Sequence, residues 1–119
     1  MVSLVSFINN LKKDITSLEN RDDCKRFFFS SILHLMVSLE IASSSILDEK
    51  MSFLKLKSSI PASIGSEIEI KKILKEGLKH NYFVEKKVFQ RNKKTYYKIS
   101  KKYSLMITNW YLDNKSKFN

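Results

Sequence analysis

Only two glycines and one proline interrupt 119 residues. That scarcity constrains the fold more than any other feature of the chain. A β-sandwich reverses direction every few residues and fills its turns with glycine, proline and asparagine. This chain lacks the material for so many turns, so long helices with few breakers are expected. With 43% hydrophobic and 29% charged residues, the chain also has the apolar content for a packed core, which argues against disorder. The length fits a single domain, 1–119, of a size that often gains stability by dimerising.

The apolar periodicity places the helices. Residues 2–19 carry Leu4, Phe7 or Ile8, Leu11, Ile15 and Leu18 at three- to four-residue steps. Asn20 to Asp23 reads as a turn, and Asp22 or Asp23 is a candidate cap for the next helix. This second helix is expected from Cys24 to Leu47, apolar around most of its circumference through Phe27, Phe28, Ile32, Leu35, Met36 and Leu39. A helix of that kind is buried on several sides. Part of the burial in so short a chain is expected to come from a second subunit.

The middle of the chain is more punctuated. Glu49 to Lys57 reads as a short helix, stopped by Ser58-Ser59-Ile60-Pro61 because the residue before proline avoids the helical region. Ser66-Glu67-Ile68-Glu69 has the spacing of a capping box, with a hydroxyl for the third amide and a carboxylate reaching back. The helix it opens carries Ile70, Ile73, Leu74 and Leu78 on one face, with Lys71, Lys72, Lys75 and Lys79 largely off it. His80-Asn81 ends it, since asparagine tolerates a left-handed backbone. Tyr82 to Phe89 and Thr95 to Ser100 are two β-prone runs around the basic turn Gln90 to Lys94, which makes a hairpin. Tyr96 and Tyr97 alternate across it, so one of them is expected to pack inward. Lys101 to about Lys115 is a final helix, with Leu105, Met106, Trp110 and Tyr111 at helical spacing.

Charge is distributed unevenly over these elements. Residues 61–119 hold 14 Lys/Arg against 5 Asp/Glu, whereas residues 1–60 hold 8 against 7. A concentrated positive potential attracts polyanions, and nucleic acid is the commonest. Lysine outnumbers arginine 19 to 3, which favours general phosphate attraction over bidentate recognition.

Other chemistry finds little in the sequence. The single cysteine, Cys24, excludes an internal disulfide and a cysteine-cluster zinc site, and reads as a buried, inert thiol ahead of a redox sensor. His34 and His80 lack a cysteine or clustered acidic partner, so no metal site is expected. The glycine content leaves no phosphate-cradling loop, no nucleophile–base pair is recognisable, and no cofactor is called for. No apolar run is long enough for a membrane span, and residues 1–13 lack the pattern of a signal peptide. A cytoplasmic protein without enzymatic activity is the expectation.

The order of a short helix, a break, a capped basic helix and a basic hairpin resembles the winged helix-turn-helix regulators of the MarR type. Ser59 to Ser100 carries the resemblance. Ile70, Ile73 and Leu74 lie inside the recognition helix, Leu78-Lys79-His80-Asn81-Tyr82-Phe83 stands where that family commonly reads leucine-x-x-glycine-aromatic-apolar, and Ile99-Ser100 stands where it often has Leu-Thr. Two positions depart from the pattern. Arg91-Asn92-Lys93 lacks the acidic residue of the family's Asp-x-Arg wing. Glu67 and Glu69 place carboxylates at the helix end that normally approaches base edges; capping accounts for Glu69, and nothing in the sequence accounts for Glu67.

The resemblance implies a mainly α fold with a small β-hairpin wing, flanked by N- and C-terminal dimerisation helices (1–47 and 101–119) around a winged helix-turn-helix at 48–100. It implies a homodimeric transcriptional regulator that binds double-stranded DNA. Ser66, Lys71, Lys72 and Lys75 would contact the major groove, Arg91, Lys93 and Lys94 the minor groove or backbone, and Lys98 and Lys101 further phosphates. Leu4, Phe7, Leu11, Phe28, Leu35, Trp110 and Tyr111 would form the dimer interface. A small-molecule effector, if one exists, would sit near Phe27 to Met36. The competing readings are a winged-helix protein–protein module and an RNA or anionic-surface binder using the same basic face.

Overall fold

The computed structural model describes residues 4–6, 8, 9, 12, 23–89 and 93–115. Within the segment expected to form the first helix, the described residues are helical. The element order thereafter is α1 (Asp23–Phe28), α2 (Ile32–Ile46), α3 (Phe53–Ser59), α4 (Glu67–Lys79), β1 (Phe83–Phe89), β2 (Lys93–Ile99) and α5 (Lys101–Lys115). The chain is mainly helical, with one two-stranded antiparallel sheet.

The helix expected from Cys24 to Leu47 is broken in two. Two adjacent serines break it by offering the backbone alternative hydrogen bonds. The Ser30 hydroxyl donates to the Arg26 carbonyl, and Ser31, in extended conformation, caps α2 by accepting from the His34 amide at 3.1 Å. The break lets Phe28 and Phe29 turn edge-on to Trp110 of α5, at centroid separations of 5.7 and 5.9 Å.

After α2, Asp48 takes a left-handed backbone (φ 53°) and Met51 pairs with the middle of β2, where the Tyr97 amide donates to the Met51 carbonyl at 2.9 Å. Met51 thus adds a single rung on the outer edge of the hairpin. That rung shifts the start of α3 from the expected Glu49 to Phe53, with Ser52 as its cap. Ile60, ahead of Pro61, is extended as that position requires (φ −108°, ψ 122°).

α4 matches the sequence expectation closely. Ser66 caps it, and the reciprocal capping box with Glu69 is complete. Asn81 adopts φ 61° and the Tyr82 amide donates to the Gly77 carbonyl at 2.8 Å, which closes the helix and turns the chain into β1. Lys93 and Lys94, expected in the hairpin turn, already lie in β2, opposite Phe89 and Val88. Ser100 then starts α5, its hydroxyl accepting from the Tyr103 amide at 3.1 Å.

The core forms where α1, α2, α3, α4, the base of the hairpin and α5 meet. Phe28, Val37, Ile41, Leu56, Ile70, Phe83 and Tyr103 are its most deeply buried members. Tyr103 satisfies its hydroxyl with Ser38 of α2 at 2.8 Å. Among the described residues, no helix is long and apolar enough to cross a membrane.

Candidate nucleic-acid interface

Helix α4 presents several lysines from a single surface. Its buried side carries Ile70, Ile73, Leu74 and Gly77. At 3.6 residues per turn the opposite ridge is Ile68, Lys72, Lys75 and Lys79, spaced i, i+4, i+7 and i+11. All four are exposed. Among the described residues, no carboxylate forms a close ion pair with the ammonium groups of these three lysines.

Two of the three acidic residues of α4, Glu67 and Glu69, have partners within the chain, while Glu76 stays exposed beside the ridge. Glu67 takes the Lys57 ammonium of α3 at 3.1 Å and the Lys71 ammonium at 3.4 Å. Hydrogen bonding from Lys57 is the main reason its carboxyl lies below the usual range. Glu69 accepts the Ser66 amide at 3.1 Å, and that bond is the main cause of its own lowered pKa. Neither side chain belongs to the lysine ridge. Glu67 therefore clamps α3 to α4 across the break between them. This account of Glu67 needs Lys57, ten residues earlier on another helix, and so was out of reach of local spacing.

The expected contact residues divide accordingly. Lys72 and Lys75 sit on the outward ridge. Lys71 leans away from it, paired with Glu67 and lying 5.2 Å from the Phe53 ring centroid. The Ser66 hydroxyl is engaged by the Glu69 amide. Lys98 is held by Asp48 at 3.3 Å. Lys101 begins α5 at the base of the hairpin, beyond the end of β2 at Ile99, which is itself about 17 Å of strand from Lys94. Arg91 lies outside the described residues.

Residues opposite each other across an antiparallel pair share a face. The register therefore puts Val84, Lys86 and Val88 of β1 together with Lys94, Tyr96 and Lys98 of β2. The other face turns Phe83, Tyr97 and Ile99 towards the core. Tyr97 is the tyrosine that packs inward; Tyr96 stays on the outer face, with the Lys50 ammonium 5.2 Å from its ring centroid. Lys79 and Lys86 were not among the expected contacts. The signal for Lys79 was its heptad-like spacing from Lys72 and Lys75, and that for Lys86 was the strand alternation once the register is known.

The expected dimer residues also divide. Phe28 is 0% exposed within one chain, so it has no surface to offer a second and is corrected to a core residue. It lies under Trp110 because α1 ends where it does. Leu35 and Trp110 are half-buried against the core, whereas Leu4 and Tyr111 are exposed. Phe7 and Leu11 lie outside the described residues. New exposed apolar positions appear at two-turn intervals: Ile32, Leu39 and Ile46 on α2, and Leu105 and Leu112 on α5.

A cleft of about 520 Å³ opens between the start of α2 and one side of α4. Ser31 to His34 line it, within the segment expected to border a ligand pocket, together with Lys72 and Glu76 of α4. His34 Nε2 lies 4.0 Å from Glu76. Burial outweighs this carboxylate and holds the imidazole below its ordinary pKa. Among the described residues, no group of three or more His, Cys, Asp or Glu side chains could hold a metal ion. Cys24 is buried.

No family model, curated protein or solved structure matches the chain.

Proposed function

We propose that the chain is a winged helix-turn-helix protein of MarR-like layout that binds double-stranded DNA as a homodimeric transcriptional regulator in the cytoplasm. The observation that carries this reading is the ridge of Lys72, Lys75 and Lys79 on α4, with the neighbouring carboxylates of Glu67 and Glu69 engaged inside the chain. A helix 13 residues long, capped and positive along its outer side has the size and charge to enter a major groove. The elements around it support the reading. α3 precedes it across a short break, the hairpin comes after it, and Met51 extends the sheet by a single rung.

The hairpin would act as the wing, with Lys86 and Lys94 on its outer face reaching the flanking backbone. Dimerisation is supported by the exposed apolar residues at two-turn intervals on α2 and α5, since exposed apolar surface favours association. The protein–protein alternative drew its support from Glu67 and Glu69, and internal partners for both side chains remove that support.

The test is binding of the full chain to mixed-sequence duplex DNA across a salt series, beside Lys72→Glu/Lys75→Glu. Each phosphate contact contributes about 0.9 to the slope of log affinity against log salt. A steep slope that the double variant flattens by about 2 is expected. No duplex binding at low salt from the folded protein refutes the reading.

A further inference from the structure

Ile68 stands at the N-terminal end of the lysine ridge and is 68% exposed. Two residues later, Ile70 is 1% exposed, so the two isoleucines differ only in the side of the helix they occupy. The capping box fixes the backbone beneath Ile68, and the side chains on either side of it, Glu67 and Glu69, are drawn off towards Lys57 and Ser66. The first turn of α4 therefore presents an aliphatic group outward, followed along the same ridge by Lys72, Lys75 and Lys79.

Where such a ridge meets a polyanion, an exposed apolar side chain gains by meeting an apolar group on that polyanion. The major groove of B-form DNA offers one, the 5-methyl group of thymine; the other edges present there are donors and acceptors. 5-Methylcytosine carries the same methyl at the same ring position. RNA lacks the thymine methyl, and its deep, narrow major groove does not admit side chains. The geometry points to Ile68 as the residue that reads a pyrimidine 5-methyl group, with thymine as its source. This inference rests on the duplex-DNA reading of α4 and adds a chemical preference to it: A·T-containing major grooves, recognised by a methyl contact, with affinity supplied by the lysines.

The probes are an alternating dA–dT duplex, the same duplex made with deoxyuridine, and a mixed-sequence duplex made with either cytosine or 5-methylcytosine. The full chain is compared with Ile68→Ala, which alters an exposed side chain outside the core, and with Lys72→Glu. Burying one methyl group corresponds to about a fourfold change in affinity. Replacing thymine by deoxyuridine is expected to weaken the wild-type protein about fourfold for each contacted base and to leave Ile68→Ala unchanged. Lys72→Glu should weaken every duplex alike.

Equal wild-type binding to the thymine and deoxyuridine duplexes, with Lys72→Glu still weakening both, overturns the methyl contact and leaves the DNA reading standing. A gain with 5-methylcytosine that needs Ile68, and no loss with deoxyuridine, overturns thymine as the source. Absence of binding to any duplex overturns the underlying DNA reading, and with it the contact.

Discussion

Glycine in the middle of a helix ordinarily weakens it, and replacing it by alanine in α4 should gain about 1 kcal/mol from helix propensity alone. At Gly77 the structure reverses the sign. A methyl group there would overlap Cδ2 and Cε2 of the Phe83 ring and lie 3.2 Å from its Cγ. The ring has little freedom to yield, being 1% exposed and set edge-on to Tyr103 at 5.7 Å and to Phe27 at 5.8 Å. Overpacking a tight core costs about 1–3 kcal/mol. Set against the propensity gain, Gly77→Ala should be destabilising by up to about 2 kcal/mol, a fall in melting temperature of roughly 4–8 °C for a domain of this size. Urea unfolding at fixed pH measures it. Phe83→Leu in the same chain should recover part of the Gly77→Ala loss although Phe83→Leu alone destabilises, giving a favourable coupling in the double-mutant cycle. A Gly77→Ala protein more stable than the wild type by the full propensity gain of about 1 kcal/mol would refute the close approach of α4 to β1.

Two further perturbations probe how the terminal helices are tied to the core. The Asp23 carboxylate accepts the Tyr82 hydroxyl at 2.7 Å and the Lys102 ammonium at 3.0 Å, and these bonds, Tyr82 first, lower its pKa to about 2. The depressed folded-state value means its stabilisation is complete above about pH 4 and is lost as pH falls towards 2. Asp23→Asn should therefore flatten the acid limb of a stability–pH curve, by under about 1 kcal/mol for so exposed a pair, and an unchanged limb would count against the triad. Inside the core, Ser38→Ala leaves the Tyr103 hydroxyl without its 2.8 Å partner and should cost about 1–3 kcal/mol, whereas adding Tyr103→Phe should cost little more; additive losses in a denaturant melt would exclude a shared hydrogen bond.

Local chemistry made much of this protein legible from its residues. The capping box at Ser66 and Glu69, the left-handed Asn81, the stop before Pro61, the limits of α4 and the start of α5 all arise from interactions within a few residues, so spacing alone reveals them. The apolar face of α4 comes from helical period, and the same period already separates Ile68 from Ile70.

Spacing could not supply anything that depends on residues distant in the chain. Tyr103 stands between a lysine and a serine with nothing to mark it, yet it is fully buried because α5 folds it onto Ser38, 65 residues earlier. Phe28 reads as readily for an interface as for a core, and the break at Ser30 and Ser31 decides for the core by bringing it beneath Trp110. Glu67 is unaccounted for until α3 sets Lys57 beside it. Hydrogen-bond spacing within one helix or turn is written into the sequence, because the backbone fixes those distances. Which charge neutralises which, and which of two equivalent apolar residues faces water, is decided only when separate elements pack and their surfaces compete for the same space.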